Sequence, residues 1–523
     1  MSPPRGRCHR DVTLGMIHLM AQPIPTPAAR RTRIVIIGGG FSGIGMAIRL
    51  RQTGIDDFVI LERANEHGGT WRDNSYPGCA CDVQSALYSY SFAPNPDWSH
   101  RYARQAEIWS YLRRCATQYD IDRHFVFSQD VTGTVWDNGM QRWTVTTGTD
   151  TWNASFVMLA TGALSDPVIP AIRGLETFAG RMFHSAQWDH DLDLTAKRVA
   201  VIGTGASAIQ FIPQIQPRVA QLDVYQRTPG WVLPRRDHAI APWRKALYRA
   251  VPLTQRIARA AIYAQREALH LPFRHRGAAR VLERFARWSM HRQITDRTMR
   301  AQLAPQYQLG CKRILVTDDY YPALRQSNVA LITDAIMQVE VGGIVTADGV
   351  HHAADVIILG TGFRPTDPPL APVIVGRAGM SLADAWRGSP QAYMGTTQAG
   401  FPNFFQLLGP NTGLGHNSIV LMIEAQIEHV LDVLAVMASR GAGAAEPSGV
   451  AQQRYVADVD ARLATTTWNA GGCRSWYLDR TGRNSIIWPD GVGRFVRTVK
   501  RVVTADYRFE PRHAGVPDSE VQA

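Results

Sequence analysis

The chain has 523 residues, 45% of them hydrophobic and 19% charged, which is the composition of a globular protein with two or three domains. Its formal net charge of +12 would suit nucleic acid or an anionic membrane surface. Residues 235–300, however, hold 16 Lys+Arg and 4 Asp+Glu, an excess equal to that of the whole chain. No recognised nucleic-acid-binding module accompanies this segment, so a nucleic-acid partner is not predicted. No stretch reads as a membrane span.

The six cysteines form no C-x-x-C pair and no metal-ligand spacing, which predicts reduced thiols, a cytoplasmic protein and no metal site. They are Cys8, Cys79, Cys81, Cys115, Cys311 and Cys473. Residues 1–30 combine basic residues and prolines with only a short apolar run. This segment therefore predicts a disordered extension and not a secretory signal.

A strand, a glycine-rich turn and a helix are predicted after this extension. The β-branched run before Gly38 ends in Gly38-x-Gly40-x-x-Gly43, whose glycines permit a tight turn and let backbone N–H groups approach a pyrophosphate. The next predicted strand, residues 58–62, ends in Glu62, where a carboxylate can bind ribose hydroxyls. Together these features predict one dinucleotide site.

Residues 198–209 repeat this pattern as Gly203-x-Gly205-x-x-Ala208, so the chain is expected to bind two dinucleotides. The next strand ends in Arg227 and Thr228 instead of an acid. An arginine with a hydroxyl binds a 2′-phosphate through charge-assisted hydrogen bonds, which favours NADPH over NADH.

Two sequence stretches at 160–162 (ATG) and 360–362 (GTG) follow predicted strands and mark where the chain leaves the first domain and returns to it. The predicted boundaries are an extension at 1–30, a first domain at 31–163 and 361–505, a second domain at 164–360, and a disordered tail at 506–523. A helical insertion is expected at about 236–305, where apolar residues recur at loosely helical spacing. Its basic charge predicts a solvated face beside an anionic coenzyme, and contact with a membrane surface stays open as an alternative.

Glycines and aromatic residues recur in two further motifs. The first runs from residue 68 to 82 and contains Gly68, Gly69, Trp71, Tyr76, Pro77, Gly78 and Asp82. The second lies between the two glycine turns and contains Phe178, Gly180, His184, Trp188 and Asp189. Both motifs match, without a miss, the signatures of flavin-dependent Baeyer–Villiger monooxygenases with two dinucleotide-binding domains. The chain therefore resembles that family over roughly residues 31–500.

The resemblance implies an α/β fold of two Rossmann-like domains, with FAD on the first glycine turn and NADPH on the second. The residues it places at FAD are Gly38, Gly40, Ser42, Gly43, Glu62, Thr70, Trp71, Asp82, Tyr88, Val131 and Arg313. Those it places at NADPH are Gly203, Thr204, Gly205, Ala206, Ser207, Ala208, Arg227, Thr228 and Lys312. One departure is Ala80, where relatives often carry arginine.

The reaction that the resemblance implies is oxidation of a ketone to an ester or lactone by a C4a-peroxyflavin formed from FAD, NADPH and O2. Arg313 is expected to stabilise the anions of this reaction and Asp82 to orient Arg313. His184 and Trp188 are expected to hold the linker while the NADP domain rotates. The oligomeric state and the identity of the ketone cannot be predicted from the sequence.

Two other functions remain open. A heteroatom monooxygenase acting on amines or thioethers would need Arg313 less, and related enzymes of that kind carry tyrosine in place of Trp188. An FAD-containing reductase commonly has a C-x-x-C or C-x4-C beside the flavin, and the chain has neither. Near the C-terminus, Trp468, Trp476, Tyr477 and Trp488 fit a substrate wall and core packing equally well.

Overall fold

The computed structural model describes residues 29–513, and its largest sheet contains strands from both ends of this range. They are β1 (Arg30–Ile37), β2 (Phe58–Leu61), β3 (Phe125–Val126), β4 (Val131–Asp137), β5 (Arg142–Thr147), β6 (Thr151–Leu159), β17 (Ile374–Val375) and β18 (Phe404–Gln406). The order is β17–β4–β5–β6–β1–β2–β3, and β18 also pairs with β6. The central strand β1 is parallel to β2 and β6, and its apolar run is buried on both faces, as expected for a covered parallel sheet.

Helices from distant parts of the chain cover this sheet. They are α1 (Phe41–Gln52), α2 (Thr70–Asp73), α3 (Gln105–Gln118), α11 (Leu382–Trp386), α12 (Ile419–Ser439), α13 (Gly449–Ala464), α14 (Thr467–Ala470) and α15 (Val492–Val499). The helix α12 packs against α1 and α15. Its His429 is fully buried, where it bonds to the carbonyl of Val499 and to the hydroxyl of Tyr507.

A second sheet consists of five parallel strands in the order β12–β9–β8–β16–β7. Its strands are β7 (Arg181–His184), β8 (Arg198–Ile202), β9 (Gln221–Tyr225), β12 (Val329–Ile332) and β16 (Val356–Leu359). It is accompanied by α4 (Ala208–Ile215), α10 (Tyr320–Leu324) and an antiparallel sheet of β13 (Ile336–Glu340), β14 (Gly343–Thr346) and β15 (His351–Ala353). The eight-stranded sheet is mixed, because β5 runs antiparallel to β4 and β6, and the five-stranded sheet is parallel. Each sheet has a strand–turn–helix unit, which confirms the predicted α/β class with two Rossmann-like units.

The predicted helical insertion is confirmed between β10 (Val232–Leu233) and β11 (Leu315–Val316), which pair in parallel. Its helices are α5 (Pro242–Ala250), α6 (Pro252–Ala268), α7 (Leu271–Arg274), α8 (Arg276–Gln293) and α9 (Arg297–Leu303). Short 3-10 helices elsewhere cover Asp122–His124, Leu175–Thr177, Ser185–Gln187, Ala371–Val373, Arg377–Gly379 and Thr504–Asp506. Across residues 29–513, none of the helices combines the length and apolarity that crossing a bilayer requires.

The prediction of a disordered tail from residue 506 is wrong for its first part. β20 (Tyr507–Pro511) pairs antiparallel with β19 (Ala442–Pro447), and Tyr507 is buried. The segment is polar, so its composition did not indicate a strand. Its pairing partner β19 lies about sixty residues upstream, which a local sequence pattern does not show. The predicted end of the N-terminal extension at residue 30 is one residue too late, since β1 begins at Arg30. Residues 1–28 and 514–523 lie outside the described residues.

The prediction that the cysteines are unpaired is wrong for two of them. Cys311 and Cys473 form a disulfide across 162 positions, while Cys79, Cys81 and Cys115 are free and buried. The spacing argument failed because it tested only neighbours in sequence, whereas this pair is formed by two loops that meet in the fold. Cys8 lies outside the described residues.

Candidate functional site

The first glycine turn joins β1 to α1 and leaves the helix N-terminus open. Gly38 has φ +108°, and a Cβ there would lie 2.8 Å from the carbonyl oxygen of Ala160. A Cβ on Gly43 would lie 1.9 Å from the oxygen of Gly38, so neither position accepts a side chain. Gly40 is the N-cap of α1, no side chain caps the helix, and Ser42 is buried in its first turn. The first-turn amides are therefore available to a pyrophosphate.

Glu62 follows β2 and lies beside this turn. Its carboxylate accepts hydrogen bonds from the backbone N–H of Gly39 at 2.7 Å and of Ala64 at 2.9 Å. Arg72 Nη1 donates a third hydrogen bond to this carboxylate, at 3.1 Å from Glu62 Oε1. The backbone carbonyl of Glu62 accepts from Gln129, two residues before Val131 opens β4. Glu62 is thus held at the turn, and Val131 lies on the segment beside it.

Trp71 and Tyr88 form an aromatic wall on the same domain. Thr70 begins α2 directly after Gly69, which has φ +52°. Trp71 donates its indole N–H to the hydroxyl of Tyr88 at 3.1 Å, and the two rings meet edge to face. Burial raises the pKa of Tyr88 well above its ordinary value, so the hydroxyl stays protonated.

Asp82 and Arg313, which are 231 positions apart, form an ion pair. Asp82 Oδ2 accepts hydrogen bonds from Arg313 Nε at 3.1 Å and from Nη2. Among the described residues, no atom accepts a hydrogen bond from Arg313 Nη1. Burial opposes ionisation of Asp82, but the charge and hydrogen bond of Arg313 outweigh it and lower the pKa of this carboxyl. The charge of Asp82 raises the pKa of Arg313, so both groups are ionised over the whole physiological range.

Three further residues surround this pair, and the sequence analysis missed their roles. Arg266 Nη2 donates to the backbone carbonyl of Asp82 at 2.9 Å, and its charge also favours the ionised carboxylate. Arg235 Nη2 donates to the carbonyl of Cys81 at 3.0 Å. Tyr477 is buried within electrostatic reach of the pair. No local pattern could reveal the two arginines, because they come from the basic insertion more than 150 positions downstream.

The second glycine turn joins β8 to α4. Gly203 has φ +109°, and a Cβ there would lie 2.5 Å from the carbonyl oxygen of Gly360. The next residues, Thr204 to Ala206, are partly or fully exposed, and a Cβ on Gly205 would meet nothing within 4 Å. Ser207 is the N-cap of α4 but its side chain makes no capping hydrogen bond, and Ala208 packs against Gly360. This helix N-terminus is also open to an anion.

Arg227 and Lys312 bring two positive charges together after β9. Arg227 is exposed and is followed by the half-buried Thr228. Burial and the charge of Arg227 lower the pKa of Lys312, whose ammonium also lies over the ring of Tyr307 at 5.3 Å. Two cations in mutual reach are chemically matched to a phosphate dianion.

The two crossover segments between the sheets are hydrogen-bonded to each other. Val168 N–H donates to the oxygen of Gly362 at 2.8 Å, and Arg364 N–H donates to that of Asp166 at 3.1 Å. His184 lies buried beside them, with its ring edge to face with Phe363. Its Nδ1 accepts from Ala186 N–H, and burial lowers its pKa.

Trp188 packs against Phe183 and Phe211, with ring centroids 5.2 and 5.3 Å apart. It therefore belongs to the core of the five-stranded sheet.

The segment around Tyr76 and Ala80 contacts α4 of the second unit. Gln210 accepts from the hydroxyl of Tyr76 at 3.0 Å and exchanges two hydrogen bonds with the backbone of Ala80. Gly78 has φ +78°, and a Cβ there would lie 2.6 Å from the oxygen of Gln210. Ala80, at the position where relatives often carry arginine, thus joins the two units through its backbone.

The C-terminal aromatic residues are mainly core. Trp468, Tyr477 and Trp488 are at most 2% exposed, whereas Trp476 is 39% exposed. Trp468 stacks on Phe273 at 4.6 Å between ring centroids, which ties this region to α7 of the insertion. Among residues 29–513, no group of three or more His, Cys, Asp or Glu side chains could hold a metal ion.

Comparison with known proteins places this geometry in a family. A family model for flavin-binding monooxygenase-like proteins matches residues 31–377. The chain is 47% identical over 493 residues to a Baeyer–Villiger monooxygenase of Streptomyces coelicolor, covering 93% of this chain and 95% of the relative.

Two solved structures show the same likeness. One is cyclohexanone monooxygenase from Rhodococcus sp. Phi1 bound to NADP+, with TM-score 0.83 and 28% identity, covering 92% of this chain and all of that chain. The other is the OTEMO complex with FAD and NADP, with TM-score 0.81 and 27% identity, covering 91% of this chain and 99% of that chain.

Proposed function

Because the chain belongs to the flavin-binding monooxygenase-like family, and is an FAD- and NADPH-dependent Baeyer–Villiger monooxygenase, we propose that it uses the Arg313–Asp82 pair to oxidise ketones to esters or lactones. That pair is the observation that carries the proposal. It supplies a permanently protonated donor that a carboxylate holds in place.

The residues of the first unit fit FAD. The open N-terminus of α1 suits a pyrophosphate, and Glu62 lies where a carboxylate can accept from ribose hydroxyls. Trp71 and Tyr88 provide an apolar wall with a protonated hydroxyl. The residues proposed to hold FAD are Gly38, Gly40, Ser42, Gly43, Glu62, Thr70, Trp71, Asp82, Tyr88, Val131 and Arg313.

The residues of the second unit fit NADPH. The open N-terminus of α4 suits the coenzyme pyrophosphate, while Arg227 and Lys312 suit the 2′-phosphate. Thr228 adds a hydroxyl beside Arg227. The residues proposed to hold NADPH are Gly203, Thr204, Gly205, Ala206, Ser207, Ala208, Arg227, Thr228 and Lys312.

When bound, FAD would accept electrons from NADPH and would activate O2, the source of the transferred oxygen atom. Arg313 keeps its charge throughout and directs Nη1 away from Asp82, so it can stabilise negative charge that develops on the ketone oxygen. Asp82 fixes the guanidinium plane, and Arg266 and Arg235 fix the backbone that carries Asp82. This positions one donor without requiring a proton transfer from it.

We assign the eight-stranded sheet to FAD and the five-stranded sheet to NADPH, with residues 164–170 and 360–366 as the hinge between them. His184 and Trp188 support this hinge by packing and have no proposed role in proton transfer. The hinge is built from two irregular segments that are hydrogen-bonded to each other, which suits a small rotation of one unit against the other.

The ketone and O2 are the proposed small-molecule partners, and thioethers are proposed as minor substrates. A heteroatom oxidation alone would leave the Arg313–Asp82 pair without a purpose. The cytoplasmic location stays a prediction, and its cysteine argument is weakened by the Cys311–Cys473 disulfide.

The test is to incubate the purified holoenzyme with NADPH, air and, separately, a cyclic ketone, a long-chain ketone and a thioether, and to identify the products by mass. Ester or lactone is the expected product from at least one ketone. Sulfoxide from the thioether with no oxygenated product from any ketone would reject the ketone assignment in favour of heteroatom oxidation.

A further inference from the structure

Helix α6 turns several polar side chains toward the protein, beside Ile262 and Tyr263, which pack against the core. Gln255 donates to the carbonyl of Asn95 at 2.6 Å. Arg259 Nη1 donates to the carbonyls of Ala86 and Ser89, both at 2.9 Å. Two turns further on, Arg266 donates to the backbone carbonyl of Asp82. These inward bonds fix which face of the helix points away from the protein.

The outward stripe of α6 is mostly apolar. Its members recur every three or four positions, as one helix face requires. They are Leu253, Arg256, Ile257, Ala260, Ala261, Ala264, Gln265 and Ala268, all exposed. Leu253 and Ile257 are 61% and 60% exposed, although a soluble helix normally places such residues in the core.

The preceding helix α5 and its junction with α6 extend this surface. Trp243 is 64% exposed, and Leu247 and Val251 are exposed as well. We call the exposed residues of α5, α6 and the junction between them, from Trp243 to Ala268, the outer face. An apolar patch of this kind on a single chain marks a surface that binds something.

The charge of the outer face is positive. Residues 242–268 contain six Lys+Arg and one carboxylate, Glu267. Glu267 is turned inward, where it accepts from Asn417 Nδ2 at 3.0 Å and lies 3.6 Å from His416 Nε2. Asp97, from another part of the chain, pairs with Arg249. Arg244 and Arg256 are exposed beside the apolar side chains.

We propose that the outer face binds an anionic lipid surface, with Trp243, Leu253 and Ile257 entering the headgroup region and the basic side chains meeting lipid phosphates. Apolar side chains flanked by cations, without an exposed carboxylate on either helix, are complementary to such a surface. A second copy of the chain fits poorly, because it would oppose two equally cationic faces. Lipid binding itself is independent of the reaction at Arg313, and only its benefit for the enzyme rests on the proposed function.

The position of α6 gives this contact a purpose. The same helix that shows Leu253 and Ile257 to the outside holds the Asp82 loop on its inner side through Arg266. Only one helix, roughly 10 Å across, separates the two surfaces. Apolar ketones concentrate in lipid, so attachment there would bring the site close to its substrate.

The experiment is co-sedimentation of the holoenzyme with vesicles of phosphatidylglycerol mixed with phosphatidylcholine, and with vesicles of phosphatidylcholine alone. Binding is expected to the anionic vesicles and to fall with added salt. Leu253→Gln combined with Ile257→Gln is expected to weaken it at least about tenfold, because two aliphatic side chains lose their apolar environment. Arg244→Gln combined with Arg256→Gln is expected to abolish the preference for anionic lipid.

The matched control is Met337→Gln combined with Val450→Gln, two side chains that are 60% and 74% exposed elsewhere on the molecule. This variant is expected to bind vesicles like the wild type. Turnover of a water-soluble ketone without vesicles verifies that each variant is folded, and it separates this proposal from the proposed function.

The proposal is overturned if the wild type does not sediment with anionic vesicles, or if both outer-face variants bind normally. Ultracentrifugation without lipid that shows a wild-type dimer, lost in Leu253→Gln/Ile257→Gln, would assign the face to a second copy instead.

Discussion

Arg227 and Lys312 are two cations within electrostatic reach of each other, and no carboxylate is hydrogen-bonded to either among the described residues. We expect Arg227→Ala to raise the KM for NADPH by about tenfold or more, because a charge-assisted hydrogen bond to phosphate contributes about 1.5–3 kcal/mol. The KM for NADH, which lacks the 2′-phosphate, should change far less. Steady-state kinetics with both coenzymes measures this difference.

Arg280, exposed on α8, provides the control: Arg280→Ala should leave both KM values unchanged. An equal rise in the KM for NADPH and in the KM for NADH in Arg227→Ala would show that this side chain does not bind the 2′-phosphate.

His429 makes stability depend on pH. Burial lowers its pKa to about 4, whereas in the unfolded chain it titrates at its ordinary value near 6.5. The unfolded state therefore takes up a proton first as pH falls, so stability is lost between about pH 6.5 and 4 and is unaffected above that range. The loss can reach about 3 kcal/mol at the acidic limit. Urea unfolding at pH 7.5 and pH 5 measures it.

His429→Gln should remove this part of the pH dependence, whereas His291→Gln, at an exposed position on α8, should not. An identical loss of stability on acidification in wild type and His429→Gln would contradict the assignment.

At the scale of elements, the disulfide joins the loop before Arg313 to the loop before Tyr477. Cys311 immediately precedes Lys312, and Gln308 N–H donates to the carbonyl of Gly471 at 3.1 Å beside it. Cys473→Ser should therefore lower stability by about 2–4 kcal/mol, since the cross-link closes a long loop. It should also lower kcat for ester formation, because the Arg313 loop becomes less fixed.

Thermal unfolding with and without a thiol reductant measures the first effect, and the variant itself should not respond to the reductant. A non-reducing digest should contain one linked peptide pair holding Cys311 and Cys473. Two separate peptides with free thiols in protein purified without reductant would refute the pairing.

Elements made from neighbouring residues could be predicted from the sequence, and contacts between distant elements could not. The turns at Gly38 and Gly203 need only local glycines, and the insertion shows its helical period over residues 242–303. By contrast, β20 is stable only beside β19, and Arg266 meets Asp82 only because α6 folds back onto that loop. Such pairings depend on the tertiary fold, which cannot be read from residue type and local spacing alone.

At the scale of the whole molecule, the site is assembled from three parts of the chain. The first unit supplies Asp82, the segment after the insertion supplies Arg313, and the insertion supplies Arg266. The two units also touch through Gln210 and Ala80, close to the Asp82 loop. A rotation at the hydrogen-bonded crossovers would therefore change the surroundings of the ion pair directly, which links domain movement to the chemistry.

The central claim is that Arg313 stabilises charge in ketone oxidation but is not required for NADPH oxidation itself. The most direct measurement follows NADPH consumed, ester formed and hydrogen peroxide released in one reaction mixture, for wild type and Arg313→Ala. Wild type should convert most NADPH into ester. The variant should lose ester formation by about a thousandfold, as when a charge-stabilising donor is removed, while its NADPH oxidation continues and yields hydrogen peroxide. Ester formation by Arg313→Ala at a rate close to that of the wild type would contradict the account.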